Sequence, residues 1–276
     1  RTLTSVDPDG ALAAGIEVER LIGSIVYPAA ELVEPGAVKL IEGNRFTLGE
    51  LDGERTPRIE RLSKSMMAAG FKAPVSRDIR SEIWVKLWGN LSFNPISALT
   101  HATLEEICRF PPSRDLAARM MSEARSVGEK LGVEFKVSLD QRIAGAESVG
   151  AHKTSMLQDV EHGRALELQA LVGSVVELAR ITDTPTPTID AIYAATALLT
   201  KTLADRANGN TFRLVTWRYK PNFRTRTSSG NLSSATPAFS AASRMRSTSP
   251  PGSVTAPRMV SSFHSSVQFC WNGVTG

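Results

Sequence analysis

Residues 211–276 contain 8 basic residues, 13 serines and not one aspartate or glutamate. Such a stretch has too few periodic apolar positions to offset the entropy of ordering it, so any core must come from the residues before it. Residues 1–210 carry 24 Lys+Arg against all 28 Asp+Glu, which makes them acidic although the 276-residue chain sums to +4. Hydrophobic residues at 42% and charged residues at 22% exclude collagen-like composition and disorder throughout. No apolar run reaches the ~18 residues of a membrane span, so no membrane partner is expected. The basic residues after 210 are scattered and lack interleaved aromatics. That disfavours a nucleic-acid-binding arm against a disordered Ser/Arg-rich tail over 210–276, such as a shifted frame or read-through would produce. Cys108 and Cys270 alone make neither a disulfide framework nor a zinc site, and a reducing, cytoplasmic setting is the expectation. Arg1-Thr2-Leu3-Thr4-Ser5 holds no initiator Met and no apolar leader, as expected of a chain begun partway through a longer reading frame.

Up to about residue 76 the pattern reads as strands and turns with one helix. Residues 21–27 form a nearly continuous apolar run, expected of a strand buried on both faces. Residues 37–41 and 45–48 read as an antiparallel pair around Gly43-Asn44, and 71–75 as a further strand. Pro57, Ile59, Leu62, Met66 and Met67 mark an amphipathic helix ended by Gly70.

From Asp78 the chain reads as helical. Asp78 caps a helix striped by Ile79, Ile83, Trp84, Leu87, Trp88 and Leu91; further helices are expected after Pro111, over 139–148, from Ser155 to Ala179, and over 189–207. Strands followed by a run of helices predict two domains, 1–77 and 78–209, with a cleft between them.

Certain polar residues stand out from this pattern. Lys86, Asn90 and Asn94 lie at i, i+4 and i+8, one stripe of one helix, and Pro95 is expected to kink that helix. Mid-helix asparagine is unfavourable, so the stripe is either a solvated polar face or a lysine set beside two amides for a small carbonyl compound. Ser155 with Gln158 fits a capping box, and Arg164 with Glu167 an i, i+3 ion pair. Glu123, Glu129 and Glu134 read as a solvated helix face. His152 and His162 show no metal-ligand spacing, and no metal is expected.

The wording of two segments is more specific. Residues 83–100, Ile-Trp-Val-Lys-Leu-Trp-Gly-Asn-Leu-Ser-Phe-Asn-Pro-Ile-Ser-Ala-Leu-Thr, closely resemble the signature of the ketopantoate reductase (2-dehydropantoate 2-reductase) family. So does His152-Lys153-Thr154-Ser155-Met156-Leu157-Gln158-Asp159, with Glu167 at the family's distance beyond it. Residues 31–36, 46–50 and Thr186-Pro187 add to the resemblance, which runs from about Ser5 to Ala207.

The resemblance implies a Rossmann domain followed by a helical domain, and NADPH-dependent reduction of ketopantoate to pantoate on the route to pantothenate and coenzyme A. Lys86 then resembles the general acid. Asn90 and Asn94 resemble the orienting amides, Ser155 the donor to the substrate carboxylate, and Glu167 the carboxylate that completes the site. A small 2-keto acid is the implied partner, and a homodimer is left open. The fold class that follows is an α/β remnant of a Rossmann-type domain, an all-α domain and a disordered basic tail. A family member would open on a strand, a G-x-G-x-x-G turn and a helix. Gly10, Gly15 and Gly23 do not give that spacing, so cofactor-binding residues are not assigned and weak or absent NADPH binding is expected. The alternative is a non-catalytic helical module, for dimerisation or small-acid binding, from a degenerate gene.

Overall fold

In the computed structural model, which describes residues 2–207, the strands form one hairpin nested inside another. Strand β1 (Gly23–Val26) pairs antiparallel with β4 (Phe46–Gly49), Gly23 opposite Gly49 and Val26 opposite Phe46. Between them β2 (Ala29–Glu34) and β3 (Ala37–Glu42) form their own ribbon, turning at Pro35-Gly36, where Gly36 takes a φ of +85° that suits glycine. The antiparallel pair expected around Gly43-Asn44 is therefore corrected: β3 turns back on β2, and β4 reaches past both to β1. Residues 21–27 are not buried on both faces either. Within β1 Gly23 and Ile25 are buried, whereas Ser24 is exposed and Val26 only half-buried, the alternation of a strand with one wet face.

Residues 72–75 run parallel to β4, joined by bridges Arg45–Lys72 and Leu48–Val75. Phe46 and Leu48 donate their N–H groups to the Lys72 and Pro74 carbonyls at 2.7 and 2.9 Å. Pro74 has no N–H to return, so the segment stays a fringe rather than a full strand. Helix α2 (Pro57–Ala68), capped by Thr56, drops the fully buried Ile59 onto Leu48 and Ala73. A shorter helix, α1 (Ala11–Gly15), precedes β1.

The central helix, α3 (Ile79–Thr100), starts where Asp78 accepts the Ser81 N–H at 3.1 Å. It does not stop at Pro95: the helix continues to Thr100 and ends with His101 in the left-handed region. Trp84, Leu87, Trp88, Leu91, Phe93 and Ile96 are all buried, so α3 is apolar around most of its circumference and other helices must surround it. These are α4 (Leu104–Arg109), α5 (Pro111–Lys130), α6 (Leu139–Glu147), α7 (Ser155–Glu161), α8 (Ser174–Ile181) and α9 (Pro187–Ala207). The Trp88 indole donates to the Met121 carbonyl at 2.6 Å and meets Phe135 edge-on, tying α3 to α5 and the loop beyond it.

Two more expectations are corrected here. The single helix expected from 155 to 179 is three pieces: α7, a turn of π-helix over Gln169–Gly173, and α8. Gly163, at φ +64°, allows the chain to leave α7, and the Arg164 N–H closes that turn on the Asp159 carbonyl. Nor is Glu123 merely solvated. Its carboxylate accepts the Thr188 and Ile189 N–H groups at 2.9–3.1 Å and so caps the start of α9. The opening residues join this helical cluster as well. Leu3 is buried in it, and Thr4 and Ser5 both donate to Glu177 of α8. The expected tail over 210–276 lies outside the described residues. Among those described, no helix is long and apolar enough to cross a membrane.

Glu50, at the end of β4, is the most buried acid of the strand region, its side chain 3% exposed. It accepts Arg58 Nε at 2.8 Å and Nη2 at 2.5 Å, together with the Thr56 hydroxyl. The Arg58 hydrogen bonds hold its pKa below the usual carboxylate value, against burial, which pushes the other way. A lowered carboxylate stabilises the fold fully above its unfolded pKa and loses that contribution as pH falls through the folded value. Glu50→Gln is expected to cost about 1–2 kcal/mol at neutral pH, a modest figure because Arg58 is partly solvated. It should also flatten the loss of stability below about pH 4.5, the ordinary value. Urea titrations at neutral and acid pH measure both.

Candidate active site

The stripe expected on α3 exists, and the strands close over one end of it. Gly23 and Gly49 lie directly on Ile79: a Cβ on either would fall 2.8 or 2.4 Å from the Ile79 side chain. This approach brings the end of β1 over the next turns of α3. Lys86, half-buried, donates its ammonium to the Val26 carbonyl and sits 5.5 Å from the centroid of the Tyr27 ring. Burial draws the Lys86 pKa below lysine's ordinary value, while Glu167 opposes the shift electrostatically. Tyr27 also receives Arg45, at 5.7 Å from its centroid.

Asn90 is half-buried and Asn94 buried, on the same face one and two turns farther on. Asn94 Nδ2 donates to Ser155 Oγ at 3.4 Å, across 61 residues of sequence. Ser155 is free to meet it because it is not the cap of α7. Thr154 is, accepting the Leu157 N–H at 3.2 Å, while Gln158 donates to the Lys153 carbonyl; this corrects the expected Ser155–Gln158 capping box. Arg164 pairs with Asp159 at 2.7 Å. Glu167 lies just ahead of the π-helical turn, where the extra residue per turn alters side-chain phase.

The structure thus links Lys86 to Glu167 by charge, and Asn94 to Ser155 by contact, with Asn90 between them on α3. Sequence reasoning missed Val26 and Tyr27. An aromatic closing an apolar strand was a weak signal for Tyr27. Val26 acts through its backbone, which leaves no mark in the sequence.

Chemically, the arrangement offers one desolvated ammonium, two amides, a hydroxyl and a balancing carboxylate. It can polarise a carbonyl and give it a proton. It does not fit the phosphates of a dinucleotide. Among the described residues the two strand pairs are antiparallel, and no glycine-rich turn joins a strand to a helix. Among the same residues, no group of three His, Cys, Asp or Glu is placed to hold a metal ion.

Residues 78–200 match the family described as "Ketopantoate reductase PanE/ApbA C terminal". A 2-dehydropantoate 2-reductase of Mesorhizobium japonicum is 57% identical over 192 residues, covering 70% of this chain and 59% of the relative. A solved protein from Ralstonia solanacearum MolK2, described as a ketopantoate reductase, is 36% identical with a TM-score of 0.70, over 73% of this chain and 62% of that one. A D-mandelate dehydrogenase, solved with NADH and anilino(oxo)acetate, has a TM-score of 0.63 at 20% identity, over 71% of this chain and 65% of that one. That last likeness is one of fold alone. The chain therefore spans about three-fifths of the relatives it matches, and over that span it is similar to the ketopantoate reductases.

Thr154 and Ser155 are neighbours with different work, and substitution separates them. Thr154→Ala is expected to cost about 1 kcal/mol through loss of the α7 cap. Ser155→Ala, losing only a long contact to Asn94, should change stability by no more than about 0.5 kcal/mol. Chemical denaturation of both variants checks the division.

Proposed function

We propose that these residues form the keto-acid half of an NADPH-dependent 2-dehydropantoate 2-reductase. A partly desolvated lysine carries the reading: it shares one helix face with two amides, and chain folding brings a serine and a glutamate toward that face. The acid's 2-keto oxygen would accept from the Lys86 ammonium, and its other oxygens from Asn90 and Ser155, the latter held by Asn94. When bound, a nicotinamide cofactor supplies the hydride. The described residues show no cradle for it, so none is assigned to it.

As negative charge develops on the keto oxygen, Lys86 stabilises it and transfers a proton, leaving a neutral amine and a hydroxy acid. Burial makes this ammonium a stronger acid than a free lysine. Glu167 opposes that shift, favouring the charged form, and offsets part of the cost of burying the charge. The same reading carries a cytoplasmic setting and a homodimer.

NADPH oxidation with ketopantoate tests it, on the chain joined to the dinucleotide-binding segment of a relative. Lys86→Ala is expected to lower kcat by roughly 10²–10³-fold, about 3–4 kcal/mol of transition-state stabilisation, with NADPH affinity unchanged. Near-normal turnover would leave Lys86 as a structural tie between α3 and the end of β1.

The pH profile is a second check. A general acid must be protonated, so kcat/KM should fall on the alkaline side, below lysine's ordinary 10.5. Glu167 raises the Lys86 pKa, so Glu167→Gln is expected to move that limb to lower pH. Movement to higher pH would contradict the pairing.

A further inference from the structure

Arg142, on α6, is a cation for which the reaction outlined above has no use. Its guanidinium reaches the bare backbone of Gly89. A Cβ there would sit 1.9 Å from Nη2, 2.7 Å from Cζ and 3.2 Å from Nε, so any side chain at 89 would displace it. Gly89 follows Lys86 by three residues and precedes Asn90, which sets the guanidinium about 60° round α3 from the lysine. Tyr27, whose ring faces the Lys86 ammonium, also acts electrostatically on Arg142. One tyrosine therefore borders both cations.

Among the described residues no side-chain hydrogen bond or ion pair holds the guanidinium, and the groups that act on its charge are Tyr27 and Cys108, neither of them a carboxylate. Burial pushes its pKa down from the ordinary arginine value, though the residue is half-buried and keeps some contact with water. Such a group is costly unless something anionic arrives to pair with it. Charge balance indicates what arrives. Lys86 is already opposed by Glu167, so a bound monoanion finds its unopposed positive charge at Arg142.

We propose that Arg142, seated on Gly89, is the residue that recognises the carboxylate of the 2-keto acid, by a paired, charge-assisted hydrogen bond. This rests on the keto-acid reading and adds to it the source of selectivity for an acid over an uncharged carbonyl compound. Ser155 offers a hydroxyl but no charge. Arginine suits the role because its planar fork matches a carboxylate's two oxygens.

Calorimetric titration of the 276-residue chain with ketopantoate and with its uncharged methyl ester tests this without cofactor or turnover. The wild-type chain is expected to prefer the acid by about 10–100-fold. Arg142→Gln should abolish the preference by weakening acid binding alone, and Arg142→Lys should keep part of it. Gly89→Ala retains the charge but displaces the guanidinium, and should reduce the preference as well. Thermal melts give an independent readout. Without ligand, Arg142→Gln should melt no lower than wild type, because an uncompensated cation has gone; the rise in Tm that ketopantoate causes should vanish. A preference for the acid that survives Arg142→Gln but is lost in Lys86→Ala overturns this inference and leaves the keto-acid reading standing. Failure of the wild-type chain to bind either compound overturns both.

Discussion

The contact between two glycines and one isoleucine governs the rest of the molecule. Gly23 and Gly49 have no side chains to hold β1 and β4 away from α3, so the strand pair rests directly on Ile79. Three residues beyond Gly23, the Val26 carbonyl then reaches Lys86, and Tyr27 follows with its ring against the ammonium. An alanine at either glycine would lever the sheet off the helix. The lysine would then lose the carbonyl and ring that make its partly buried position tolerable. Packing and electrostatics are one problem here, solved in the first turns of α3.

The fold was legible wherever local signals agreed. Asp78, Pro57 and the apolar stripe through Trp84 and Trp88 each predict an element that forms. The failures came from partners distant in sequence. Hairpin signals at Gly43-Asn44 are genuine turn chemistry, but which strands pair depends on β4 passing beyond β2 and β3 to reach β1. Periodicity carried through residues 155–179 because apolar spacing alone does not register a left-handed glycine or a π-helical turn. Glu123 read as solvent-facing, since its partners lie 65 residues downstream.

The site divides in the same way. Lys86, Asn90 and Asn94 share one helix, so their spacing places them together. Ser155 and Glu167 were legible only through the wording of their segment. For Ser155 the local pattern pointed to a cap, a task that Thr154 performs. Arg142 gave no signal at all. Its meaning depends on a glycine 53 residues earlier whose bare backbone receives it.

The bonds from Thr4 and Ser5 to Glu177 close the chain on itself across 173 and 172 residues. Residues 3–5 leave the ribosome well before their partners on α8 are made, so Leu3 and its neighbours wait undocked while the helices between them assemble. Contacts of such long range slow the final folding step and lengthen the time that an incomplete apolar core is open to solvent. The helical cluster is thus closed by residues made long before the helix that receives them.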